Sequence, residues 1–256
     1  MILLSQQRWR RLSGNLHLLW SNLRFGCRSR RSCIRQGLYF PKFLEYPLVR
    51  QHLGQVAGKT VLDLGANYRY FTIWLATACR ARVIAVDRLR EPLARYHRLP
   101  SVQRHPQCLL PCATDITALP LAGAAVDLVC CISTIEHVAD DAAVMREIAR
   151  VLKPGGRAVL TFPCAASEFV IPNPDFTITR LYSERSAHER LIGPSGLCGE
   201  TVEWWQVKDS TWDCNVGYAA GIWNSLHAYR RVANCATMGS NSLNTALLVL
   251  SKPFSS

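Results

Sequence analysis

Three aspartates stand where apolar runs stop. Asp63 interrupts the run Val61–Leu64, two residues before Gly65. Asp87 closes Val83–Val86, 24 residues further on, and Asp115 follows the short run Cys108–Leu110. A carboxylate at the end of a second strand can accept hydrogen bonds from the vicinal hydroxyls of a ribose. One after a third strand can take the exocyclic amine of adenine, with the N–H of Ile116 offered to a ring nitrogen. Each acid alone reads equally as turn chemistry. Together, in this order and spacing, they describe an adenosine site. A further pair, Glu136-His137, follows the apolar run Leu128–Ile132. His137 has two readings: a structural ring hydrogen-bonded near the floor of the site, or an imidazole that accepts a proton from a nucleophile.

The turn beside Asp63 reads TVLDLGANYRYF over residues 60–71. A dinucleotide loop needs Gly-x-Gly-x-x-Gly, and positions 65, 67 and 70 are Gly, Asn and Tyr. That argues against a nicotinamide-dependent oxidoreductase. A side chain at a position needing positive φ is costly, and Asn bears it best. Arg69 either faces solvent or points inward to meet a carboxylate of the ligand. Lys153-Pro154-Gly155-Gly156 follows a helix and precedes a strand, the reverse of a phosphate loop, and reads as a turn.

These residues need elements to hold them. Phe40 to Leu53 reads as helical, begun by Pro41 and disturbed at Pro47. Strands are expected at 61–64, 83–86, 108–110, 128–132 and 158–162. Helices are expected between them at 71–78, 91–96 and 142–152, the last stopped by Pro154 and the glycines after it. Short buried strands alternating with helices mean βαβ units and a parallel sheet. Residues 165–240 break this rhythm and are rich in Pro, Gly, Trp and Tyr. A helix at 186–192 and strands at 202–207 and 246–250 are the elements expected beyond residue 165.

The chain has 256 residues, enough for one large domain, and no apolar run reaches the length of a membrane span. Its 30 basic and 18 acidic residues give +12, unevenly spread. Nine of the basic residues fall before Glu45, the first acid, while the remainder of the chain is nearly balanced. Residues 1–36 therefore read as a basic arm, and 37–256 as a single domain whose 165–240 segment covers the substrate. In the arm, Leu12, Leu16, Leu19, Trp20 and Leu23 recur at helical intervals. Such a helix can pack on the body, trail as a tail, or lie on an anionic membrane surface as a peripheral contact. The sparse aromatics argue against nucleic acid as a partner. The 11 cysteines contain no Cys-x-x-Cys and read as the reduced thiols of a cytoplasmic protein, with no metal expected.

The succession VLDLG, VIAVD, TDITALP, VDLVCCISTIEHV and REIARVLKPGGRAVLTFP resembles the class I S-adenosylmethionine-dependent methyltransferases. The small-molecule group that includes the ubiquinone and menaquinone C-methyltransferases is the most similar. The match runs from about residue 45 to 165. The resemblance implies an α/β, Rossmann-like doubly wound sheet of seven strands, order 3-2-1-4-5-7-6, with the last strand antiparallel. It implies S-adenosyl-L-methionine as cofactor. Asp63, Gly65, Ala66 and Asn67 fall on the first motif, Asp87 on the ribose acid with Arg88 beside it, Asp115 and Ile116 on the adenine contacts, and Ser133 beside the sulfonium. The expected reaction is in-line methyl transfer to a small-molecule or lipid-like acceptor, with His137 as the candidate base. Tyr39, Tyr46, Phe169, Tyr182, Trp204, Trp205, Trp212, Tyr218 and Trp223 read either as an aromatic cover over the substrate or as core. The altered turn keeps a second reading open: a methyltransferase-like binding or scaffold protein without catalysis.

Overall fold

A computed structural model describes residues 40–173, 177–207, 229–240 and 244–254. The basic arm, Tyr39, Trp212, Tyr218 and Trp223 lie outside the described residues.

Helix α1 (Phe40–Leu53) runs continuously across Pro47. The unit that follows is strand β1 (Thr60–Leu64), helix α2 (Tyr70–Thr77) and strand β2 (Arg82–Asp87). Every side chain of α2 from Tyr70 to Ala76 is buried, so this helix has no solvent face of its own. Two short helices, α3 (Arg90–Ala94) and α4 (Pro100–Arg104), lead to β3 (Leu109–Ala113). Strand β4 (Val126–Ile132) is followed by a single 3₁₀ turn over Ile135–His137 and then by α5 (Asp141–Val151). The Asp140 carboxylate accepts the Ala143 N–H at 2.9 Å and so starts α5. Strand β5 (Leu152–Pro163) begins at the last residue of the expected helix and runs through the stretch 153–156 expected to be a turn; Leu152 already pairs with Val126 across a register shift.

Beyond β5 the chain forms a hairpin, β6 (Phe169–Asn173) with β7 (Thr177–Leu181), and a helical turn, α6 (Glu184–Ala187), that continues as one π-helical turn to Ile192. Three more strands complete the chain: β8 (Cys198–Val207), β9 (Tyr229–Val232) and β10 (Thr245–Ser251).

The main sheet has eight strands in the order β3-β2-β1-β4-β5-β10-β8-β9. Strands β1 to β5 are mutually parallel, and β10 lies antiparallel between β5 and β8. This is the expected order 3-2-1-4-5-7-6 with one strand added: β9 extends the edge beyond β8. The hairpin and β9 are both absent from the sequence reading. One face of the sheet packs against α1 and α2 through Tyr46, Tyr70, Phe71 and Trp74; the other packs against α5 through Val144, Met145 and Ile148. Among the described residues no helix is long and apolar enough to cross a membrane.

Of the aromatics that read as cover or core, Tyr46, Tyr182, Trp204 and Trp205 are core, each under 5% exposed. They fill the volume between sheet and helices because burying a ring removes more apolar area from water than any aliphatic side chain does. Phe169 alone among the described members is exposed.

Candidate active site

The carboxyl ends of β1, β2 and β4 open on a cleft of about 410 Å³. Its lining includes Gly65, Asn67, Arg69, Asp87, Arg88, Asp115, Ile116, Ser133, Thr134 and His137. Seven of the residues predicted for a cofactor are thus brought to one wall: Gly65, Asn67, Asp87, Arg88, Asp115, Ile116 and Ser133. Asp63 and Ala66 stand behind it, buried.

Gly65 is irreplaceable at the turn. Its φ is +70°, and a Cβ built there would run into the Thr134 side chain. Asn67 carries φ +43°, and its side-chain oxygen accepts the Tyr68 N–H at 2.6 Å. That local bond steadies a left-handed residue without a second glycine. The Asn67 N–H donates to one Asp87 oxygen at 2.9 Å, and the Leu89 N–H donates to the other at 3.0 Å. Asp87 therefore ties the first turn to the second strand. Each oxygen keeps a lone pair for a ligand hydroxyl. Asp115 accepts both the Thr117 N–H and its hydroxyl on a single oxygen, at 2.8 Å each, and these bonds hold it below the usual carboxylate range. Asp63 stays inside. Burial pushes it up to about 6, although the Thr72 hydroxyl donates to it at 2.6 Å.

Arg69 points inward. Its guanidinium donates to the Ile132 carbonyl at 2.9 Å, at the tip of β4, and its backbone N–H donates to the Tyr96 hydroxyl at 3.1 Å. Burial works against its charge, but Tyr46, Asp63 and Glu45 nearby outweigh that.

His137 lines the cleft, and burial lowers its pKa. Its Nδ1 lies 3.2 Å from the Ile178 carbonyl, so Nδ1 carries the proton and Nε2 the lone pair. Nε2 is 3.8 Å from Glu136. Glu136 is 3% exposed, and its second oxygen has no hydrogen-bond partner among the described residues. Burial pushes it up to about 8, against the pull of Lys42 and Arg69. A carboxyl raised in the folded state stabilises the fold below its unfolded pKa and loses that contribution as pH rises through the folded value. The unfolding midpoint should therefore fall between pH 7 and pH 9. In Glu136→Gln, which cannot ionise, thermal melts should stay flat over the same interval; an identical decline in both proteins would show that another group is responsible.

Two residues that the sequence reading did not place at the site stand behind the cleft wall at Ser133. Glu45 and Lys42 of α1 form an ion pair at 2.7 Å, both buried. Glu45 also accepts the hydroxyls of Ser133 and, at 2.9 Å, Thr161. The pair looks in sequence like any solvated i, i+3 couple. The one available signal is its setting, between Phe40 and Val49 in the part of the helix that is otherwise apolar. No group of three or more His, Cys, Asp or Glu suited to a metal occurs among the described residues.

The sequence model of a methyltransferase domain matches residues 62–160. A 37.1 kDa protein of unknown role from a transposon of Streptomyces fradiae is 33% identical over 151 residues, 57% of this chain and 41% of that protein. The ubiquinone biosynthesis O-methyltransferase of Aeromonas salmonicida is 28% identical over 151 residues, 57% of this chain and 61% of that enzyme. Across the curated relatives the alignments span from 19% to 62% of the relative's length. In fold, the chain resembles the geranyl diphosphate C-methyltransferase of Streptomyces coelicolor, with TM-score 0.59 and 18% identity over 82% of this chain and 78% of that one. The matched segment begins inside β1 and ends inside β5, and so contains every wall of the cleft. Residues 62–160 thus match a methyltransferase domain, and the sheet that carries them has the fold of solved methyltransferases.

Proposed function

We propose that the chain is an S-adenosylmethionine-dependent methyltransferase acting on a small-molecule acceptor. The observation that carries this is the single cleft shared by Asp87, Asp115 and the Gly65–Asn67 turn. The residues fit the cofactor. Asp87 offers a lone pair on each oxygen to the ribose hydroxyls, and Ile116 offers its N–H beside Asp115 to the adenine. A side chain at Gly65 would close the passage between the turn and Thr134. The structural relative from Streptomyces coelicolor is in complex with Mg2+, geranyl diphosphate and S-adenosyl-L-homocysteine.

When bound, S-adenosylmethionine supplies an activated methyl group. The protein then has to align the acceptor and exclude water, which is worth roughly 7–11 kcal/mol of barrier. An acceptor that arrives protonated would also need a base. His137 lines the cleft with a lone pair on Nε2, and we assign it that role. Calorimetry of the full chain with S-adenosylhomocysteine tests the reading. Micromolar binding supports it, and no binding would favour the scaffold alternative.

The basic arm adds a proposed partner, the surface of an anionic bilayer. On sedimentation with phosphatidylglycerol vesicles the full chain should pellet, and a chain lacking residues 1–36 should stay in the supernatant. Equal behaviour of the two would remove the arm from that role.

A further inference from the structure

Helix α1 lies outside the matched domain, yet one of its side chains touches the cleft-lining residue Ser133. Glu45 is 1% exposed and accepts three hydrogen bonds there. Its Oε2 takes the Lys42 ammonium at 2.7 Å. Its Oε1 takes the Thr161 hydroxyl at 2.9 Å and, on the cleft side, the Ser133 hydroxyl. The ion pair is thus oriented, with the carboxylate toward Ser133 and the ammonium on its far side. Ser133 is held in turn. Its φ is +44°, and its N–H donates to the Thr161 carbonyl at 3.0 Å. A left-handed residue that is not glycine persists only where its surroundings fix it.

Adenine at Asp115 and ribose at Asp87 leave one place in the cleft for the sulfur: the end formed by Gly65, Ser133 and Thr134. The inference rests on that methyltransferase reading. We propose that Glu45 is a positioning residue which brings a fixed negative charge to the sulfur end of the cleft through the Ser133 hydroxyl, so that a sulfonium nucleoside is held in preference to its neutral thioether product. The cations nearest this end, Lys42 on the Glu45 Oε2 and Arg69 on the Ile132 carbonyl, are unchanged in Glu45→Gln. Only the sulfur differs in charge, so the ratio of the two affinities reports on Glu45. Methyl transfer removes that charge, and the site then loosens its hold on what it has made.

The test is calorimetry on the full chain with S-adenosylmethionine and S-adenosylhomocysteine, using the parent, Glu45→Gln and Ser133→Ala. Glu45→Gln should weaken S-adenosylmethionine roughly five- to ten-fold, as expected for one charge acting through a partly desolvated site, and S-adenosylhomocysteine less than about two-fold. Ser133→Ala should shift the ratio the same way by a smaller factor, and it carries the test alone if Glu45→Gln does not fold. Equal losses for both ligands would make Glu45 a fastening for α1 only and overturn the proposal, as would no change for either. Failure of the parent to bind either ligand would instead remove the methyltransferase reading, and this inference with it.

Discussion

Asp87→Ala should abolish measurable binding of S-adenosylhomocysteine, a loss of at least ~100-fold, while the protein stays folded. Two effects combine. The carboxylate is the acceptor for the ribose hydroxyls, and hydrogen bonds to a charged group contribute about 1.5–3 kcal/mol each. It also holds the Asn67 and Leu89 N–H groups at 2.9 and 3.0 Å, so removing it frees the turn as well as the ligand. Asn67 sits at φ +43° and would relax once its N–H lost its partner. Asp87→Asn separates the two effects. Its amide keeps one acceptor and turns an NH₂ toward the other N–H, so binding should be intermediate. Calorimetry gives the affinities, and a thermal midpoint within a few degrees of the parent shows that the fold survives. An Asp87→Ala protein that bound as tightly as the parent would remove the ribose role and the cofactor reading that depends on it.

Asp87 and Asp115 were legible because each follows an apolar run that had to be a strand, while Asp63 lies inside one and stays behind the cleft. Alternating buried strands and helices leave one direction for the chain, and the carboxyl ends of β1, β2, β3 and β4 then gather on one side of the sheet. Asn67 was legible as a tolerable substitute for glycine, and the bond from its side chain to the Tyr68 N–H is the reason it is tolerated. The direction of Arg69 was not legible. A residue in a turn has no periodicity to orient it, and the partner that draws it inward is a backbone carbonyl, Ile132, 63 residues away in the chain. Glu45 and Lys42 were missed for a related reason. Their spacing suits a surface pair, and what buries them is contact with Ser133 and Thr161, 88 and 116 residues further on. Between cover and core the sequence could not choose for the described aromatics, because ring content alone does not distinguish a pocket wall from a core. Tyr182 and Trp204 carry polar atoms, yet both are buried among the side chains facing α5.

A larger stability effect is expected at Asp141, which no functional reading singled out. This residue opens α5 and is fully buried, 0% exposed. Its two oxygens accept the Arg190 guanidinium in a fork, at 2.9 and 2.8 Å, and the Tyr182 hydroxyl at 2.9 Å; Arg180 lies 3.3 Å away. Arg180 belongs to the β6–β7 hairpin and also pairs with Glu168. One carboxylate therefore joins α5, the hairpin and the helical turn after α6. Replacing the whole cluster by apolar groups could be neutral, but removing one member is not, because the buried Arg180 is then left with Glu168 alone and the half-buried Arg190 loses its fork. Asp141→Ala should cost about 3–5 kcal/mol, the range for breaking a buried pair from one side. For a domain of this size that is a fall in melting temperature of roughly 10 °C. Asp141→Asn keeps the hydrogen-bond shape and loses the charge, so it should fall between the two. Calorimetric melts decide the matter, and a drop of under ~1 kcal/mol for Asp141→Ala would mean that water reaches the arginines and that the cluster is wetter than its burial implies. The consequence for the cleft follows from the same contacts. The hairpin carries the Ile178 carbonyl that fixes the His137 tautomer, so loosening it at Asp141 should leave His137 free to turn. Nucleoside binding at Asp87, on the far side of the cleft, should be spared.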